Sequence, residues 1–229
     1  MESIMINIFR KIPLFSSLKD EELEAIARVS VLKNCPKDTL ILIEDEEGDA
    51  LFIIREGKVK VTSFSETGKE VIFSILGVGD FFGDMSLLDG KPRSASVISL
   101  EESSVYILRR ADFHRIIEKH PNIALKLLKE LTSRLRKADE RIESLALLDV
   151  RGRVAGILLQ LAEESGKKTP EGIVIRSRPT HQDLANMVGT TRETVTRILK
   201  QMENGNYIIL SGKDVTILDP ERLKRELYF

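Results

Sequence analysis

Pro121 to Leu148 reads PNIALKLLKELTSRLRKADERIESLALL, with apolar residues at Ala124, Leu128, Leu131, Leu135, Ala138, Ile142 and Leu145. The steps between them alternate four and three, a heptad seam sustained for about three repeats. Neither Gly nor Pro interrupts it after Pro121. The first half adds Ile123, Leu125 and Leu127, a stripe wide enough to pack on the helix's own domain as well as on a neighbour. The second half keeps only the seam, set among Arg, Lys, Asp and Glu. A narrow seam on a charged helix needs a partner helix, because such flanks are costly to bury. The stretch therefore reads as a dimerisation helix; the plainer alternative is a long core helix inside one domain.

The 229 residues suffice for one large or two small domains, and a net charge of -1 favours no class of partner. The charge is uneven, however: 13 Lys+Arg against 10 Asp+Glu from Val150 onward, and 22 against 26 before it. A basic bias at the C-terminal end permits nucleic-acid binding. One cysteine, Cys35, excludes an intramolecular disulfide framework and a four-cysteine zinc or iron–sulfur cluster within one chain. A reduced, cytoplasmic setting fits. His114, His120 and His181 do not stand at ligand spacing, so neither haem nor another metal is expected. The N-terminal MESIMINIFRKIPLF has no long apolar core, and no run approaches the roughly 18 residues of a membrane span, so no membrane partner is expected. Ser-His-Asp and Cys-His arrangements and a P-loop are all missing from the sequence, so no catalytic residues are assigned and an enzyme is not expected.

Residues 6–29 read as helical, with Leu23, Ile26, Ala27 and Val29 on one face of EELEAIARV. From Ser30 to Leu108 the runs LILI, ALFII, KVKVTSF, VIFSI, SASVISL and SVYIL alternate with turn clusters such as DEEGD, REGK and SETGKE. Turns about every 8–12 residues between β-branched runs indicate a β-sandwich or barrel. Helix resumes from Ala111 to Lys119.

One stretch of this β region is neither ordinary strand nor ordinary turn: FFGDMSLLDGKPRSASV, Phe81 to Val97. Gly83, Asp84, Met85 and Ser86 form a tight segment where backbone can approach a ligand. Arg93, Ser94 and the N–H of Ala95 supply the guanidinium fork, hydroxyl and amide that a phosphate needs, without bulk. Asp84 can accept from a ribose 2′-hydroxyl. The alternative is internal: Arg93 and Asp84 satisfy each other in a ligand-free roll.

Beyond the seam, Asp149 is an N-cap for RGRVAGILLQLAEE, whose apolar face is Val154, Ile157, Leu158 and Leu161. ESGKKTPEG reads as a loop and IVIRS as a short strand. Thr180 to Val188 forms a short helix with a Thr-x-x-Asp capping box, and Gly189 breaks it. RETVTRILKQMENGN is a second helix ended by Gly205. Two helices across a tight Gly turn make a helix-turn-helix, held by Leu184, Val188, Val195, Ile198, Leu199 and Met202. YIILSGKDVTIL adds a hairpin wing, and Pro220 to Leu227 a terminal helix. Arg192, Glu193, Thr196 and Arg197 face outward on the second helix. Arginine reads guanine O6 and N7, and glutamate accepts from the cytosine amino group, so Arg192, Glu193 and Arg197 suit base reading. A plainer role for Glu193 is a second capping box with Thr190. Thr180, His181, Gln182 and Thr191 lie at helix starts, as phosphate contacts do.

The Phe81–Val97 string resembles the phosphate-binding cassette of cyclic-nucleotide-binding domains. Nearly the whole chain resembles the Crp/Fnr family of bacterial transcription regulators. The resemblance implies an α+β fold: an N-terminal β-roll (the jelly-roll cyclic-nucleotide-binding fold) over 1–120, a dimerisation helix over 121–148 and a C-terminal winged helix-turn-helix over 149–229. It implies a cyclic nucleotide, cyclic AMP foremost, with Asp84 on the ribose, Arg93 and Ser94 on the phosphate, and Arg134 paired with the cassette's acid. It also implies a homodimer on a TGTGA-like inverted repeat of double-stranded DNA, and RNA polymerase as a further partner. A ligand-independent regulator remains the alternative. Three departures stand out: Asp84 replaces the usual glutamate, Ala138-Asp139 replaces a Thr-Ser pair that touches adenine, and His181 replaces an arginine. Asp139 could accept from an adenine amino group or a guanine edge.

Overall fold

The computed structural model describes residues 2–227. It divides into two compact units after Arg134. The first begins with α1 (Glu2–Lys11) and α2 (Asp20–Val29). The strands are β1 (Val31–Cys35), β2 (Leu40–Leu42), β3 (Ala50–Glu56), β4 (Val59–Phe64), β5 (Glu70–Leu76) and β6 (Phe81–Phe82). A short α3 (Asp84–Asp89), β7 (Ser96–Ser99), β8 (Ser103–Arg109) and α4 (Arg110–Lys119) follow. The long α5 (Asn122–Leu147) starts in this unit.

The strands form two antiparallel four-stranded sheets, β1-β8-β3-β6 and β2-β7-β4-β5. ALFII at the head of β3 is buried at every position, as a strand covered on both faces must be. Its period of two divides it cleanly. Leu51 and Ile53 join the core beneath the helices, with Phe9, Phe15, Leu23, Tyr106 and Phe113. Ala50, Phe52 and Ile54 join the core between the sheets, with Val59, Val97 and Val105. β6 repeats the division over two residues, Phe81 toward the helices and Phe82 between the sheets.

The helical expectation over 6–29 is corrected by a break. Residues 12–18 are turns, and Pro13 lacks the N–H that a continuing helix would use. Ile12, Leu14, Phe15 and Leu18 are buried there, so packing holds the break in place. Val29 is exposed rather than on the buried face.

The second unit holds the rest of α5, then α6 (Val150–Ser165), β9 (Lys167–Thr169), β10 (Gly172–Ile175), α7 (His181–Val188), α8 (Arg192–Asn204), β11 (Ile208–Ser211), β12 (Asp214–Ile217) and α9 (Pro220–Arg225). The strands pair as β11-β12-β10-β9. The stretch expected as loop thus contains a strand, β9, because Lys167 to Thr169 register antiparallel with β10. The α7–α8 core holds the six expected residues, joined by Ala185 and Met187.

On α5 the wide stripe packs inward through Ile123 and Leu127, with Leu131 beside them. Leu125, expected among them, is exposed. The seam residues Leu128, Leu135 and Ile142 are 58%, 63% and 65% exposed in the single chain. The helix stops at Leu147, and Asp149 Oδ1 caps α6 by accepting from Gly152 N at 2.7 Å. Two arginines fasten the end of α7 to this junction. Arg141 donates to Met187 O; Arg153 donates to Val188 O and to Leu148 O, both at 2.9 Å. Asp149→Ala removes the cap and should lower stability by about 1 kcal/mol in urea unfolding, whereas Asp149→Ser should retain most of it.

Candidate functional site

The first candidate site grows out of the two-residue strand β6. Gly83 follows it with φ +79, a left-handed turn that glycine adopts without strain. The chain then winds into α3, so the tight segment expected at Gly83 to Ser86 is the start of a short helix. Asp84, on its first turn, is only 4% exposed. Its Oδ1 accepts from Arg134 Nη1 at 3.1 Å. Arg134 also donates to Phe81 O at 2.7 Å and lies 4.6 Å from the centre of the Phe81 ring. The pairing of Arg134 with the cassette's acid is therefore present. Asp84 Oδ2 is buried with no hydrogen-bond partner, an acceptor still to be satisfied.

Arg93 does not pair with Asp84, so the internal alternative fails in that form. Its Nη1 donates to Gly83 O at 2.9 Å and to Ser86 Oγ at 2.6 Å, and its Nη2 to Ala50 O at 3.1 Å. These bonds fix the plane of the guanidinium and leave donor capacity for a ligand. Arg110 braces the same place, donating to Ser86 O and Gly48 O at 2.7 and 2.9 Å. Burial pushes the Arg93 pKa below its ordinary value; Asp49 and Asp84 oppose this and Arg110 adds to it. A guanidinium so far above neutrality stays charged, so the shift describes a buried cation short of negative charge. The exposed Ser94 hydroxyl donates to Met85 Sδ at 3.3 Å, and half-buried Ala95 follows it. Sequence reasoning missed Gly48. A Cβ there would sit 2.1 Å from Arg93 Nε, so only glycine leaves the guanidinium room. Asp139 is exposed on α5 in the second unit.

The second candidate site is the outer face of α8. Arg192, Glu193, Thr196 and Arg197 are exposed and share a shallow groove with Lys200, Gln201 and Asn204, which extend the set read from sequence. The cap of α8 is Thr191, whose Oγ1 accepts from Thr194 N at 3.3 Å. The alternative Thr190–Glu193 box does not form, and the helix starts at Arg192 as read from the sequence. Hydrogen bonds from its own backbone and from Thr191 hold the Glu193 carboxyl below the usual range, so it is ionised and an acceptor. Thr180 caps α7, its Oγ1 accepting from Asp183 N at 3.1 Å and donating to Asp183 Oδ2 at 2.6 Å. Gln182 donates to Asn186 Oδ1 at 2.9 Å. His181 and Thr196, both expected on DNA, are joined to each other, Nδ1 to Oγ1 at 2.8 Å.

Residues 32–120 match the cyclic nucleotide-binding domain family, and residues 152–226 the Crp-like helix-turn-helix domain family. Fold and site together define a DNA-binding regulator that carries a cyclic-nucleotide-binding domain. The chain is 33% identical over 221 residues to the CRP-like cAMP-activated global transcriptional regulator of Mycobacterium tuberculosis, covering 96% of this chain and 99% of that one. It is 36% identical over 184 residues to the cAMP-activated global transcriptional regulator CRP of Salmonella typhimurium, covering 80% and 87%. It therefore belongs to the Crp/Fnr family, whose members are transcription regulators rather than enzymes. Among solved structures, the Thermus thermophilus catabolite activator protein is 31% identical with a TM-score of 0.54, covering 94% and 98%. A CooA mutant from Carboxydothermus hydrogenoformans shares the fold at a TM-score of 0.76 and 24% identity, covering 86% and 88%. Among the described residues no helix is long and apolar enough to cross a membrane.

Gly48→Ala should displace the Arg93 guanidinium while sparing the fold. Cyclic-nucleotide affinity by calorimetry should fall at least about tenfold, with an unchanged circular dichroism spectrum.

Proposed function

We propose that the chain is a cyclic-AMP-responsive transcription regulator that acts in the cytoplasm as a homodimer on an inverted-repeat, TGTGA-like operator. The observation that carries the effector reading is the half-satisfied carboxylate of Asp84 beside the braced cation of Arg93. Asp84 Oδ2 would accept from the ribose hydroxyl. Arg93, with Ser94 and the N–H of Ala95, would hold the cyclic phosphate, and the backbone from Gly83 through Met85 and Ser86 would close around the sugar. Arg134 holds Asp84 for this role. That two relatives are named as cAMP-activated supports cyclic AMP over other cyclic nucleotides.

The exposed seam of Leu128, Leu135, Ile142 and Leu145 supports a two-chain coil along α5. The functional division is a sensing part over 1–120, the dimer helix over 121–148 and the DNA-binding part over 149–229, with RNA polymerase as a further partner. Two-fold symmetry would set the two α8 helices about one DNA turn apart, roughly 34 Å, which an inverted repeat matches. Ile142→Lys places like charges opposite each other in the seam, and sedimentation should show monomer at micromolar concentrations where the wild type is dimeric.

On DNA, Arg192 and Arg197 read guanines and Glu193 a cytosine amino group, while the N-termini of α7 and α8, with Thr180, Gln182 and Thr191, hold phosphates. Selection from random duplexes at fixed salt with saturating cyclic AMP tests this. Wild type should enrich the inverted repeat. Arg192→Ala should lose about 1–3 kcal/mol on it and relax selectivity at one base pair. Enrichment of an unrelated motif would reject the assignment.

A further inference from the structure

His181 Nε2 lies 3.0 Å from Arg178 Nη2, and its Nδ1 lies 2.8 Å from Thr196 Oγ1. Guanidinium nitrogens only donate, so Nε2 must be a bare acceptor. The neutral ring then carries its proton on Nδ1 and donates it to Thr196. Thr196 Oγ1 donates in turn to Arg192 O at 2.9 Å, one turn back on α8. Three hydrogen bonds thus run in one direction, from Arg178 through the imidazole and the hydroxyl into the first turn of the base-reading helix. Arg178 is anchored at the other end: its backbone N donates to Lys213 O in the wing turn at 2.9 Å, and its Nη1 to Pro179 O at 3.0 Å.

We propose that His181 is a positioning residue for operator recognition rather than a phosphate contact: as the neutral Nδ1–H tautomer it ties the wing and the start of α7 to the turn of α8 that presents Arg192. The proposal rests on the reading of α8 as the base-reading helix. It also reassigns Thr196, whose hydroxyl is engaged on both sides and serves the chain of bonds instead of a base.

The charges around the ring favour its neutral form. Arg178 faces it from the segment before α7 and Arg192 from α8, and together with burial they hold the imidazole pKa below its ordinary value, burial foremost. Asp183, on the same helix, turns its carboxylate to Thr180 N and Oγ1. Glu193 is bonded to its own backbone and Thr191. Protonation would set a donor against the Arg178 donor and open the chain. The positioning is therefore complete at neutral pH and lost as pH falls through the lowered pKa.

The test uses the full-length protein with saturating cyclic AMP. Ring-nitrogen NMR, with His181→Gln to assign the signal among three histidines, should show Nδ1 protonated and Nε2 bare; the opposite tautomer would overturn the proposal. Next, the ratio of operator to unrelated-duplex affinity is measured at fixed salt. His181→Ala and Thr196→Val should each lower the ratio about five- to tenfold, and the double variant no further, because both break one chain of bonds. Thr196→Ser should retain the wild-type ratio, and lowering pH should reduce the ratio in wild type but not in His181→Ala. Equal weakening on both duplexes, as a phosphate contact gives, would overturn the proposal, as would additive losses. A wild type without any preferred duplex would fail the reading of α8 itself, and that control separates the two failures.

Discussion

The ion pair of Asp84 with Arg134 is the contact on which the sensing unit turns. Asp84 is almost wholly buried, and a carboxylate there is tolerable only with a partner. Arg134 supplies it from α5; its Nη2 and its stacking fasten the same helix to Phe81, while its Nε donates to Glu130 one turn back. Removing Arg134 would leave the buried acid without its cation and destabilise the unit. One oxygen of the acid is nevertheless left without a partner. A site that is stable yet unfinished is suited to a ligand, because the ligand completes it without first dismantling it.

The same helix carries the seam residues, so the group that would report on the nucleotide and the surface that would join two chains belong to one continuous helix. Coupling in this arrangement needs only that nucleotide binding favour one of two settings of that helix. At its far end the break at Leu148-Asp149 is held by the Asp149 cap and by Arg153, which bonds both Leu148 O and Val188 O. The end of α7 is thus fixed to the junction by hydrogen bonds to carbonyls that a helix end leaves open.

Periodic patterns were the most legible part of the sequence. The seam, the two helices of the DNA-binding motif and the alternating faces of the roll follow from the spacing of apolar residues, and Asp149 and Thr180 cap the helices where their side chains suggest. Tertiary packing decided what spacing could not. Ile12 to Leu18 fall within the stretch read as helical, yet they pack as turns around Pro13. Lys167 to Thr169 carry no strand pattern and are strand only because β10 pairs with them. At the site, residue types pointed to Asp84 and Arg93, and the family resemblance to Arg134. They could not show that Arg93 is caged by carbonyls of Ala50 and Gly83, or that Gly48 must lack a side chain, since both depend on chain segments distant in sequence. Thr190 and Thr191 were indistinguishable as caps from composition, and backbone geometry selected the second.

The central claim, that a ligand completing the Asp84 carboxylate controls DNA binding, is tested most directly by linkage. Operator affinity of the full-length protein is titrated at fixed salt and pH against cyclic AMP, cyclic GMP and no nucleotide, for wild type and Arg93→Ala. Cyclic AMP should tighten operator binding by at least about tenfold in wild type and leave Arg93→Ala unchanged. Operator affinity in wild type that no cyclic nucleotide alters, or an equal response in Arg93→Ala, would contradict it.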